Sequence, residues 1–149
     1  MKKKLSLLFV GLGILLNAQD EAVMEVKAQI IRPIQVEVTK SIDFGKVVTG
    51  SFSRVDGGFK VTGEPGEKYV AYIKELGEGN GEGTIEMMND ADSSIKFPVR
   101  AWTDLFGSNP TINSKTGYNH HSVGVDLSVP QTQTPGNYTS NLTMVVRYE

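Results

Sequence analysis

An apolar residue at every second position is the feature that most limits this chain. In the final stretch, NYTSNLTMVVRYE, Tyr138, Leu142, Met144, Val146 and Tyr148 share one face, while Thr139, Asn141, Thr143 and Arg147 share the other. Period two is the repeat of a half-buried β-strand, and no segment of ten or more residues carries the i, i+3, i+4, i+7 stripe of an amphipathic helix. The pattern predicts strands at Val23 to Ile31, Ile34 to Lys40, Val55 to Thr62, Lys68 to Glu75, Gly83 to Met88, Ile95 to Thr103, Ser122 to Val129 and Asn137 to Tyr148. Between them lie GEPGE, LGEGNGEG, NDADSS, FGSNPTINSKTGYN and PQTQTPG, all rich in turn-forming residues. Short strands at this spacing predict an all-β, immunoglobulin-like β-sandwich.

The N-terminus sets an expected compartment. Met1-Lys2-Lys3-Lys4 is basic, Leu5 to Leu16 is apolar, and Ala18 stands at a plausible cleavage point, the three parts of a secretory signal peptide over residues 1–18. The apolar run is too short to span a membrane, and nothing later approaches ~20 apolar residues. With no cysteine near the cleavage point, a lipid-anchored lipoprotein is excluded. Removing the leader leaves 131 residues, enough for one ordinary domain with its own core. Three of the fifteen basic residues leave with it, so 12 basic residues face 17 acidic ones. A net negative surface is a poor partner for nucleic acid or an anionic membrane. The absence of cysteine means that packing or a partner, not disulfides, has to supply stability.

Directly after the leader comes EAVMEVKAQIIRPIQVEV, in which Ala22, Met24, Val26, Ala28 and Ile30 alternate with mostly polar neighbours. Pro33 interrupts the run, and the alternation resumes at Ile34, Val36 and Val38. Proline is confined to strand edges and boundaries, so it separates two strands here. Both ends of the mature chain are thus predicted strands, although termini usually fray unless something ties them down.

IRPIQVEV…SIDFGKVVTG, followed by VGVDLSVPQTQTPGNYTSNLTMVVRY, resembles small exported bacterial proteins related to the major pilins of alternate chaperone–usher fimbriae, the colonisation-factor-antigen type. The resemblance rests on Ile42-Asp43-Phe44-Gly45 after the first body strand and Val123-Gly124-Val125 before a Pro/Gln/Thr loop. Gly136-Asn137-Tyr138 then leads into the alternating final strand. It implies an incomplete sandwich lacking one strand, completed by an N-terminal donor strand from a neighbouring subunit. Residues 19–33 would be the donor extension, with Pro33 as hinge, and residues 34–149 the body. The resemblance also implies that a periplasmic chaperone pairs with the final, groove-edging strand at Leu142, Met144, Val146 and Tyr148. An outer-membrane usher, identical subunits in a head-to-tail polymer and a host or surface receptor are the further implied partners. Physical chemistry agrees: an unpaired edge beside an apolar groove is both an aggregation hazard and a recognition site. Burying four or five donor side chains contributes on the order of 10 kcal/mol. Ordering about ten residues at ~1 kcal/mol or more each nearly cancels this, so ladder hydrogen bonds at ~0.5 to 1.5 kcal/mol apiece decide the outcome.

Signs of chemistry are few. His120 and His121 are adjacent in the loop-like TGYNHH, where neighbouring side chains diverge, and read as solvated. HExxH, GxSxG and a cysteine nucleophile are all missing. Gly77 to Gly83 fits no phosphate-loop spacing and reads as a turn, and the Asp90, Asp92, Ser94 run lacks the glycine and glutamate of a calcium loop. The sequons at Asn137 and Asn141 read as chance. Trp102 ends an alternating run and reads as a core residue between the sheets, in preference to a ligand-stacking role. No catalytic, metal or cofactor site is expected. The leading expectation is a fimbrial subunit in transit through the periplasm to the cell surface, with no membrane insertion. The alternative is a self-complete secreted sandwich that binds glycan or protein through FGSNPTINSKTGYNHH.

Overall fold

The computed structural model describes residues 21–107 and 109–149. The expected leader, 1–18, lies outside the described residues. Eight strands run in the order β1 (Gln35–Lys40), β2 (Phe52–Thr62), β3 (Tyr69–Ile73), β4 (Glu82–Asn89), β5 (Lys96–Thr103), β6 (Tyr118–Ser128), β7 (Tyr138–Thr139) and β8 (Met144–Tyr148), with no helix among the described residues. A six-stranded sheet has the order β1-β2-β6-β5-β4-β7, and a two-stranded sheet pairs β3 with β8. Every pairing is antiparallel. The all-β sandwich read from the alternation is the observed fold.

The inner face of the large sheet carries Phe59 and Val61 of β2, Val123, Val125 and Leu127 of β6, Phe97, Val99 and Ala101 of β5, and Ile85 of β4, all buried. The small sheet answers with Tyr69, Ala71 and Ile73 of β3 and Met144 of β8, and Leu76, Leu105 and Ile112 close the ends. Each fully buried aliphatic or aromatic side chain contributes roughly 1.5–3 kcal/mol, so this single cluster holds the body together.

A polar link ties the two sheets. The Tyr69 hydroxyl of β3 lies 2.6 Å from His121 Nε2 of β6, and Asn119 Nδ2 donates to the same hydroxyl at 2.9 Å. With Asn119 donating, the hydroxyl proton is free for Nε2, which leaves the His121 Nδ1–H facing Asp104 Oδ1 at 3.4 Å. His121 is therefore buried within β6 and partnered, correcting its reading as a solvated loop residue. The signal was available in the phase of Val123, Val125 and Leu127, which His121 shares.

Two strand expectations change. Asn137 to Tyr148, read as one strand, is split: β7 pairs with β4 in the large sheet, residues 140–143 cross over, and β8 joins β3. Glu75 fixes the crossing, because its carboxylate accepts from the backbone N–H of Thr143 at 2.7 Å and from its hydroxyl at 2.9 Å. Val23 to Ile31 forms no strand. Alternation prepares a segment for a ladder but supplies no partner, and an unpartnered strand has nothing to bond to.

Candidate functional site

On the inner side of the large sheet lies a cleft of about 990 Å³. Its floor is formed by Phe59, Ile85, Phe97, Val123, Val125 and Leu127. One wall is the segment from Val38 to Thr49, the other the segment from Gln133 to Leu142. Ile42 and Phe44 from the first wall and Tyr138 and Leu142 from the second pack against the core. The short motifs Ile42-Asp43-Phe44-Gly45 and Gly136-Asn137-Tyr138, almost a hundred positions apart, thus face one another across the same cleft. Hydrogen bonds from the Gly50 N–H to the Val129 carbonyl, 2.9 Å, and from the Val129 N–H to the Ser51 carbonyl, 3.0 Å, close one end. Tyr138 is held at the other wall by its hydroxyl, which donates to the Thr134 carbonyl at 2.6 Å, and by its ring, edge-on to Phe97 at 5.3 Å.

The edges of the sheets are unequal. The Glu149 N–H donates to the Lys68 carbonyl and the Lys74 N–H to the Thr143 carbonyl, so the odd-numbered residues of β8 face β3. By the two-residue repeat of an antiparallel ladder, the N–H and C=O groups of Met144, Val146 and Tyr148 point to the other side, where the sheet ends. On β3 the outer edge is covered at Tyr69, whose N–H donates to the Pro110 carbonyl at 3.0 Å. β1 is the matching edge of the large sheet; Val36 and Val38 on it are exposed, Val38 to 60%.

Of the expected groove-edge residues, Leu142 lines the cleft, while Met144, Val146 and Tyr148 sit on β8 with their side chains toward the core and their backbone groups on its open edge. Tyr148 has a further task. Its hydroxyl accepts from the Glu64 N–H at 2.7 Å and donates to the Arg32 carbonyl at 2.8 Å, while the Arg32 N–H donates to Glu64 Oε2 at 3.1 Å. The chain is pinned at Arg32, and Pro33 follows, exposed, two residues before β1. The compact body spans Ile31–Glu149. In residues 21–30 every side chain is exposed, Met24, Val26 and Ile30 to more than 85%.

Trp102 departs from its expected place. β5 buries Phe97, Val99, Ala101 and Thr103, so Trp102 belongs to the outer face with Lys96, Pro98 and Arg100 and is only half-buried. Its reading as a core residue between the sheets is corrected: period two gave its partners but not which side faces in. The outer face also holds a charged group that composition did not reveal. Asp126 receives Arg54 through Nε at 2.6 Å and Nη2 at 2.8 Å, and Arg100 through Nη1 at 3.2 Å. Arg100 also pairs with Glu82. The hydrogen bond from Arg54, then its charge and those of Arg100, hold the Asp126 carboxyl below the usual carboxylate range against the opposing effect of burial.

Among the described residues no group of three His, Cys, Asp or Glu could hold a metal ion. Asp92 Oδ1 instead accepts from the N–H and the hydroxyl of Ser94, a turn contact. No protein-family model matches the chain, and no curated protein sequence does either.

Proposed function

We propose that the protein is a structural subunit of a surface fimbria, exported through its leader and polymerised by donor-strand exchange. The reading is supported by two edge strands without a ladder on one side, β1 and β8, and by a cleft with an apolar floor whose walls include Val38 of β1 and Leu142, just before β8. The chain also carries a segment of the complementary kind, in which Ala22, Met24, Val26, Ala28 and Ile30 alternate, exposed and without a ladder. Nine residues in extended conformation reach about 30 Å, somewhat less than the 11-residue strand β6, which gives Val123, Val125 and Leu127 to the cleft floor.

The occupant is the extension of a second copy. It would bond to the free N–H and C=O groups of Met144, Val146 and Tyr148 and set its apolar side chains toward the cleft. Donor and acceptor surfaces differ, so the contact is heterologous and propagates as a fibre. A periplasmic chaperone, pairing with the β8 edge before assembly, and an outer-membrane usher are the partners this route requires.

The test is expression with the native leader beside a chaperone and usher of this class, read by negative-stain microscopy and by gels run with and without boiling. Filaments and boiling-sensitive ladders are expected. A monomer under those conditions would overturn the polymer reading and leave the self-complete secreted binding module.

A further inference from the structure

The outer face of the large sheet carries a second concavity, of about 510 Å³, lined by Arg54, Glu82, Arg100, Trp102 and Phe106. That volume lies within the ~300–1,000 Å³ usual for small-molecule sites. Two cross-strand rows build it. In one, Trp102 of β5 stands between Gly124 of β6 and Glu82 of β4; in the next, Arg100 stands between Asp126 of β6 and Thr84 of β4. The indole lies over Gly124: a Cβ there would fall 2.4 Å from two indole carbons, so the ring occupies the space a side chain would take. The indole Nε1 is buried, with no hydrogen-bond partner among the described residues. Phe106, 74% exposed, stands at the rim.

The charged groups around the ring restrict what it can hold. Arg54 and Arg100 are paired with Asp126 and Glu82, and Asp56, the cross-strand neighbour of Gly124, adds a third negative group, so the site disfavours a phosphate or a carboxylate. It offers guanidinium donors and carboxylate acceptors side by side, held by their mutual bonds, next to an aromatic surface. A pyranose ring has the complementary character: one face of C–H bonds that lies on an aromatic ring, and a rim of hydroxyls that donate and accept. We propose that this face binds a neutral hexose of a glycan, with Trp102 as the stacking platform and Glu82 and Arg100 as the hydroxyl-binding groups. Asp126 is a positioning residue that fixes both guanidinium planes. The site is independent of the β8 edge and of assembly, though repetition along a polymer would raise its avidity.

Trp102 is the chain's single tryptophan, so its emission reports on this site alone. The full chain is titrated as a monomer with the methyl glycosides of glucose, galactose, mannose and N-acetylglucosamine, and with inorganic phosphate. Binding is followed by Trp102 fluorescence and by saturation-transfer NMR. A saturable emission change with at least one glycoside, and none with phosphate, is expected. By the NMR readout, Trp102→Phe should weaken binding by about tenfold, and Glu82→Gln, at an exposed position where folding is not at risk, should weaken it several-fold. No saturable response to any glycoside overturns the proposal. So does a response to phosphate alone, or glycoside binding that both variants leave unchanged. None of these readouts depends on filaments, so failure here and failure of the polymer reading are separable.

Discussion

Gly124 illustrates how much one missing side chain can decide. The indole of Trp102 rests where a Cβ would stand, and Gly124→Ala forces the ring off the sheet. Overpacking of this kind costs typically ~1–3 kcal/mol, and the Trp102 emission should shift to the red as the ring enters water; thermal denaturation with fluorescence detection measures both. Tyr69→Phe keeps the ring but removes the hydroxyl between His121 and Asn119, leaving a buried imidazole nitrogen without its partner. A loss of about 1–3 kcal/mol in chemical denaturation is expected. Asp126 gives a pH dependence. Its folded pKa lies below the usual value, chiefly through the hydrogen bond from Arg54. The stability it contributes is therefore present above the ordinary ~3.9 and is lost as pH falls through the lower folded value. Denaturation midpoints between about pH 6 and about pH 2 should fall less steeply for Asp126→Asn, which is less stable at neutral pH, so that the gap to the parent closes on acidification. A constant gap would mean that the carboxylate contributes nothing. None of these contacts was legible in the sequence. Alternation shows that Trp102 shares a face with Arg100 and that His121 shares one with Val123. Which face turns inward follows from the opposing sheet, and here the segment looked like a loop because Asn119, His120 and His121 are polar.

At the level of elements, the sequence located the body strands well because each has a partner that rewards its alternation. The boundaries moved by at most a few residues, β2 starting at Phe52 and β6 at Tyr118. Two segments resisted for one shared reason, that a strand is defined by its ladder. Residues 23–31 alternate without one, and residues 137–148 alternate through two different ones. The cleft was legible only in part. The Ile42-to-Gly45 and Gly136-to-Tyr138 motifs stood out only as the basis of a resemblance, and Leu142 alone among the expected groove residues lines the cleft; that the two motifs meet across the large sheet depends on long-range topology. The donor reading predicts that Met24→Asp or Val26→Asp abolishes polymer without preventing export, because the charge would enter an apolar cleft. Val38→Asp, on the exposed acceptor edge, should have the same effect while monomer stability changes by no more than ~0.5 kcal/mol. Intact filaments from these variants would remove the extension and β1 from the interface.

For the whole molecule, the inequality of the two sheets is the dominant fact. Six strands face two, and the small sheet cannot cover the floor that the large one presents. Its apolar core therefore continues into the cleft without a break. How the pinned residue Arg32 sits in this plan bears on mechanics. It is clasped by the hydroxyl of Tyr148, the last residue of β8, and by the Glu64 carboxylate. A pull on the segment before it runs along the backbone into β1, which is laddered to β2, and sideways through the Tyr148 hydroxyl into β8. The load is thus shared between the ladder of β1 with β2 and the ladder of β3 with β8. The point where the chain enters the body and the open edge of β8 thus share one clasp, and a tug delivered there is felt in both sheets at once.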